Sequence, residues 1–418
     1  MSKKLPDTIC PEPFLYVYPN HRGNWKPCCK TSTWPIKQQQ TFEEYWYEDN
    51  DLYNLRKSLI TGEETEIWKK TCETCIKPEQ AGANSHRTLS LDSVRNNSYV
   101  EDGLAEMVDS FMSADQVMTS KRVYRIKVRG FGNECNLKCY MCAPQNSTSK
   151  NVELSKLSDD SISMFFPDGR LDKAKETLVY NKSISKNNDK TKNQLLEVIE
   201  QLKPQISQLT LAGGEPVMIR EYYDLLDSLI ESGDSKYIQI SMSTNCTRTG
   251  IKDKDMLDYI PSFRDFSVIA SIDDVGDRDD YIRYPSKFSD VVNNIEKYKK
   301  NKKCNIFTNV TWSILNIANA ENIIATLEEM EVPATPSINI VYSPIDLHPS
   351  NYPMRDELIE KYLKSDIDYI VNLGKILQSK TFDRQQFDNA VKYIKNLDKT
   401  RGTNASSVFP ELKEHLAQ

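Results

Sequence analysis

VYRIKVRGFGNECNLKCYMC, residues 123–142, joins two patterns. Its first half interleaves β-branched and aromatic residues with basic ones, which predicts a strand. Its second half places Cys135, Cys139 and Cys142 within eight positions, in a chain with only ten cysteines among 418 residues. A strand running straight into a cysteine loop is therefore expected.

The same rhythm continues downstream. QISQLTLAGGEP (205–216), YIQISMSTN (237–245), FSVIASID (266–273), NIFTNVTWSIL (305–315) and PSINIVYSP (336–344) read as five further strands. Helical stretches such as REYYDLLDSLIES, SDVVNNIEKYKK and NAENIIATLEEM separate most of them. Strands alternating with helices predict βα units on a parallel sheet, and six units predict an α/β fold of the partial (β/α)6 barrel type. In such folds chemistry sits at the C-terminal ends of the strands. The interval 143–205 is long, and SISKNNDKTKN within it reads as a solvated loop. Beyond 345 the pattern is helical to the end, interrupted at TRGTNASS. Three regions follow: 1–120, 121–345 and a C-terminal helical extension, 346–418.

The net charge of −6 argues against broad binding to nucleic acid or anionic membranes. No apolar run approaches the roughly 18 residues of a membrane helix, and no apolar segment follows the basic start, so a cytoplasmic protein is expected. In a reducing compartment, clustered cysteines indicate metal binding or catalysis. His21, His86, His348 and His415 are the only histidines, and none is close to another in sequence. This weakens a histidine-based hydrolase. GxSxG, GxxxxGK[ST] and complete GxGxxG motifs are absent.

Three closely spaced thiolates suit one face of a four-iron cluster whose fourth iron stays open. The alternative is a zinc knuckle, for which Glu134 is the only nearby fourth ligand. The C-x3-C-x2-C spacing, followed one strand later by AGGEP (212–216), resembles the radical SAM superfamily. That resemblance implies a [4Fe-4S] cluster on Cys135, Cys139 and Cys142, completed by S-adenosylmethionine (SAM). It further implies that Gly213, Gly214, Glu215 and Pro216 contact the SAM methionine group, with Glu215 meeting its ammonium. Ser243 and Asn245 of STN and Ser271 and Asp273 of SID take strand-end positions that line the SAM site in the family, and Arg283 of DYIRYP resembles a common feature of the family just after strand four. One departure is Met141, which stands where the family favours an aromatic before the third cysteine.

Upstream, Cys10, then Gly23 and Cys28, then the Cys72–Cys75 CxxC resemble the opening of SPASM and twitch domains. The resemblance implies a twitch-like module over 1–120 holding an auxiliary [4Fe-4S] cluster on Cys10, Cys28, Cys72 and Cys75. FLYVYP and NWKPC would form a hairpin turned at NHRG, a helix would cover 42–61 and end at Gly62, and the CxxC would lie in a loop. A four-cysteine zinc site is the alternative, and Cys29 competes with Cys28 as a ligand.

The activity implied is reductive cleavage of SAM to a 5′-deoxyadenosyl radical that takes hydrogen from a substrate, favoured as a peptide or protein. A flavodoxin or ferredoxin would supply the electron. The other readings are a radical dehydrogenase of small alcohols or sugars, and a noncatalytic metal-binding scaffold. No general acid or base is assigned.

Overall fold

The computed structural model describes residues 5–416 except 20–23, 32, 33, 36, 38, 39, 81, 83, 114–118, 130, 167–170, 173, 177 and 179–188. Its strands, in chain order, are β1 (Tyr16–Pro19), β2 (Trp25–Lys26), β3 (Tyr124–Val128), β4 (Ile206–Leu211), β5 (Gln239–Thr244), β6 (Gly250–Ile251), β7 (Lys254–Asp255), β8 (Asp265–Ser271), β9 (Cys304–Asn309), β10 (Thr311–Trp312) and β11 (Asn339–Ile340). The main sheet runs β2-β1-β3-β4-β5-β8-β9. From β3 to β9 every neighbour is parallel.

Alternation buries one face of β3, where Tyr124, Ile126 and Val128 are inside. Helices shield the sheet through 3.6-period stripes. The helix Arg220–Glu231 buries Tyr222, Tyr223, Leu225, Leu226 and Leu229. Phe288–Lys299 does the same with Val291, Ile295 and Tyr298, and Ala320–Glu329 with Ile323, Ile324 and Leu327.

The fifth expected strand breaks in two. β9 ends at Asn309 and β10 begins at Thr311. The sixth unit then meets it by a single parallel bridge, Thr308 to Ala334, and by the short β10–β11 ladder. The barrel therefore stays open beyond β9.

The N-terminal region departs from expectation in three ways. β1 pairs antiparallel with β2, as a hairpin requires, but it also pairs parallel with β3 and so extends the barrel sheet. The hairpin's turn, NHRG, with Gly23, lies outside the described residues. The CxxC is not in a loop: Cys72 and Cys75 lie on the helix Glu66–Gln80. Burial of Thr71 and Cys75, with Ile67, Trp68 and Cys72 packed against the core, gives that segment a helical face that outweighs Pro78. The helix expected over 42–61 divides at Asp49. Its carboxylate caps Asn50–Thr61 by accepting from the amides of Asp51 and Leu52, and Gly62 closes that helix at φ +76°.

In the interval 143–205 helices occupy Thr148–Leu154, Asp159–Ser163 and Asp189–Leu202. Of the stretch expected as a solvated loop, 183–188 is outside the described residues and 189–193 is helical. The C-terminal extension contains Arg355–Tyr362, Asp368–Gln378 and Arg384–Arg401, the last closed by Gly402 at φ +69°. Among the described residues no helix is long and apolar enough to cross a membrane.

Candidate active site

The loop bearing Cys135, Cys139 and Cys142 leaves the C-terminal end of β3, and its backbone is held from several sides. The amides of Lys138 and Tyr140 donate to the carbonyls of Tyr284 and Ile282, at 2.7 and 2.9 Å. Ser147 and Ser149 hydroxyls donate to the carbonyls of Leu137 and Cys135, at 2.9 and 2.6 Å. From the C-terminal extension, the Tyr393 hydroxyl donates to the Tyr140 carbonyl at 2.7 Å and Arg401 donates to the Lys138 carbonyl. The loop's polar backbone is thus satisfied by protein, while its three sulfurs remain free thiols. Burial raises the pKa of all three thiols, that of Cys142 to about 12. A bound metal has to displace those protons.

β4 delivers AGGEP beside this loop. The Ala212 amide donates to the Val128 carbonyl at 3.0 Å, and the Glu215 amide donates to the Glu134 carbonyl at 2.7 Å. The two glycines make that approach possible. A Cβ on Gly214 would stand 2.1 Å from the Glu134 carbonyl oxygen, and Gly213, at φ +150°, would place one 2.9 Å from that of Gly132. The glycine pair therefore seats the protein's own cysteine loop, a role its sequence pattern does not distinguish from close approach of a ligand.

The Glu215 carboxylate is 1% exposed. It accepts from the Thr244 hydroxyl at 2.7 Å and from the Asn245 amide at 2.6 Å. Burial raises its pKa to about 6 against the lowering effect of these donors. Pro216 begins the short turn after it. The Asn245 side chain donates to Asn136 Oδ1 at 2.9 Å and points toward Cys135 Sγ at 3.9 Å. Ser243 stands at the end of β5, paired with Ile269 of β8, and Ser271 at the end of β8, paired with Asn309 of β9.

Asp273 and Arg283 form a buried ion pair of 2.7 Å. The other Asp273 oxygen accepts from the Thr311 amide at 2.8 Å, so both oxygens are engaged within the protein. Burial opposes the Arg283 charge, but Cys139, Asp273 and Asp279 outweigh it and hold its pKa above the ordinary value. Its Nε is buried without a partner among the described residues. The cysteine loop thus lies against a fixed positive charge.

Several participants carried no motif. Asp279 accepts from the amides of Asp273 and Asp274, at 2.9 and 3.2 Å. Burial pushes its pKa up to about 7. Lys150 is fully buried against Glu153 at 3.0 Å and Tyr393 Oη at 2.6 Å, and Glu153 also pairs with Arg401 at 2.7 Å. These contacts span up to 248 residues of chain, so no local pattern carries them.

In the N-terminal region Cys10 and Cys75 are buried, Cys28 and Cys72 half-buried, and Cys29 exposed. Burial raises the Cys10 thiol, and Glu12, Cys72 and Cys75 raise it further through their charge. Cys28 in turn feels Cys29, Glu12 and Cys10. Among the described residues, one set of metal-type side chains has all its ligand atoms within 4.8 Å: Glu12, Cys28, Cys29 and His86. Glu12 and His86 were not singled out as ligands in the sequence, although Glu12 lies two residues after Cys10.

The sequence profile described as the Radical SAM superfamily matches residues 130–330, which span the cysteine loop, AGGEP and Arg283. No curated protein sequence matches the chain. Among solved structures, anSMEcpe with bound AdoMet and a Cp18Cys peptide is similar at 15% identity and TM-score 0.34, over 57% of this chain and 60% of that one. The chain thus spans about three fifths of that protein. SuiB of Streptococcus suis bound to the precursor peptide SuiA is similar at 13% identity and TM-score 0.39, over 85% of this chain and 72% of that one.

Proposed function

The chain carries a radical SAM domain over residues 130–330, and on that premise we propose that it cleaves SAM reductively and modifies a peptide or protein substrate. The donor set fits the cofactors: three free thiols on one loop suit a four-iron cluster with one open iron, and Glu215 supplies an anion for the SAM ammonium. When bound, cluster and SAM supply a 5′-deoxyadenosyl radical after one electron from a flavodoxin- or ferredoxin-class donor. Cys135, Cys139 and Cys142 hold the iron. Arg283 balances the thiolate charge from beside Cys139, and Asp273 fixes Arg283 in place. Asn245 orients its side chain between Asn136 and Cys135, while Gly213 and Gly214 let β4 close against the loop. Ser243, Ser271 and Pro216 complete the proposed SAM surface.

We assign Cys10, Cys28, Cys72 and Cys75 to an auxiliary [4Fe-4S] cluster within a twitch-like module over 1–120. Those four thiolates would hold the cluster, which would supply a one-electron redox centre. A cavity of about 540 Å³ among the interval after β3, the chain beyond β11 and the helix Arg384–Arg401 offers room for one side chain of a peptide or for a small substrate. Met164, Phe166 and Tyr342 line it alongside Asp160, Asp346 and Lys392. Tyr393 connects it to the cysteine loop.

The observation that carries the proposal is the seating of AGGEP on the cysteine loop through Gly214 and Glu215. Anaerobically reconstituted protein, given SAM and a strong reductant, should release 5′-deoxyadenosine. No release from a protein with full iron content would sink the proposal. Cys139→Ala should abolish release, and Cys75→Ala should spare part of it.

A further inference from the structure

Glu12, Cys28, Cys29 and His86 come from three separate parts of the chain and converge on one point. Glu12 opens the short helix Glu12–Leu15, the two cysteines follow β2, and His86 is the first residue of the helix His86–Arg95. Cys29 Sγ lies 3.5 Å from His86 Nε2, and Glu12 Oε1 lies 3.4 Å from the same nitrogen. One imidazole nitrogen carries at most one proton, so both partners can be served only by a shared, long hydrogen bond. A cation between the three satisfies them together.

The donors are oriented as ligands are, by outer hydrogen bonds. Glu12, 1% exposed, accepts from the Tyr18 hydroxyl at 2.5 Å through Oε2 and from the Ser90 hydroxyl at 2.9 Å through Oε1. Cys28 Sγ accepts from the Lys30 amide at 3.3 Å. A capping box at Ser85 and Thr88 fixes the helix start that carries His86. Cys29 is exposed, which leaves an entry path for an ion from solvent.

We propose that Glu12, Cys28, Cys29 and His86 form a tetrahedral site for a zinc-class divalent cation, adjoining the auxiliary iron–sulfur site at Cys28. Two sulfurs, one imidazole and one carboxylate suit zinc and exclude calcium and magnesium, which take oxygen ligands. The two N-terminal sites share only Cys28, whose thiolate bridges them. Cys29, His86 and Glu12 belong to the zinc site alone. The proposal goes beyond the auxiliary-cluster reading, and metal analysis separates the two.

Iron-reconstituted full-length protein is titrated anaerobically with Co²⁺ as a spectroscopic zinc substitute, followed by displacement with Zn²⁺. One equivalent should bind, with thiolate charge-transfer and tetrahedral d–d bands. Cys29→Ser and His86→Gln should each weaken it by about tenfold or more while the iron content stays unchanged. A Cys72→Ala/Cys75→Ala double variant should lose about four irons and keep the cobalt bands. Circular dichroism verifies that each variant is folded, and Glu12→Gln serves as a second probe of the oxygen ligand. No cobalt binding, bands that persist in His86→Gln and Cys29→Ser, or bands that vanish in the folded Cys72→Ala/Cys75→Ala protein would each overturn the site. Intact cobalt bands in a wild type holding only about four irons would instead sink the auxiliary cluster and leave this site standing.

Discussion

At the scale of single residues, Glu215 and Gly214 bear most directly on the proposed chemistry. Glu215 must be ionised to hold an ammonium, and its burial sets its pKa at about 6. SAM affinity should therefore be constant above that pH. It should fall by about tenfold per unit below it, as the protonated form takes over. Equilibrium dialysis of the anaerobic protein against SAM over pH 5 to 8 (about one unit below and two above that pKa) tests this, and a flat profile would remove Glu215 from the ammonium site. Glu215→Gln, which keeps the shape and loses the charge, should weaken SAM by about 1.5–3 kcal/mol and abolish the pH dependence. Gly214→Ala tests the seating of β4. Its methyl meets a backbone oxygen at 2.1 Å, which no rotamer relieves. We expect the loop to be forced away and the first cluster to be lost, leaving about four irons per chain where the two proposed clusters would give wild type about eight.

At the scale of elements, the helix Arg384–Arg401 acts as a clamp on the cysteine loop. Arg401 and Tyr393 reach the carbonyls of Lys138 and Tyr140, which sit between the expected ligands. Both also enter the buried Lys150–Glu153 pair. Burial lowers the Lys150 pKa to about 8, against the pull of Glu153. Removing the shared carboxylate from such a network strands two buried cations, Lys150 and Arg401. Glu153→Ala should cost about 3–5 kcal/mol by urea unfolding. Tyr393→Phe deletes one hydroxyl that serves two partners and should cost about 1–3 kcal/mol. Its more telling readout is iron retention: the variant should lose iron to a chelator faster than wild type. Equal rates would mean that the helix merely covers the barrel. The helix Glu66–Gln80 makes a related point. Its CxxC invited a loop reading because of Pro78 and the glycine beyond, yet its buried stripe made it helical.

At the scale of the whole molecule, the first and last parts of the chain both complete the central barrel. β1 lengthens the sheet beside β3, and the C-terminal helices hold the loop that leaves β3. Metal binding should then stabilise the protein globally, since the ligands come together only in the folded state. Reconstitution with iron and sulfide should raise the thermal midpoint, and the rise should be smaller in Cys72→Ala/Cys75→Ala. An identical rise in both proteins would count against a metal centre at those two cysteines.

Strand order, the cysteine loop and AGGEP were legible because each is local: a period of two, a spacing of three and two residues, a glycine pair before a carboxylate. The same locality explains why Gly62 and the C-terminal helices were readable. What lay beyond the sequence is long-range. Nothing local tells that β1 joins β3, that the fifth strand breaks at Val310, or that His86 meets Cys29 and Glu12. Nor does it tell that Tyr393 reaches Tyr140 across 253 residues. The sequence by itself determined the α/β alternation and which side chains are available for iron and SAM. Only the tertiary structure decided which backbone holds the cysteine loop and which charges surround it. Those contacts join residues that share no period or spacing, and packing alone selects them.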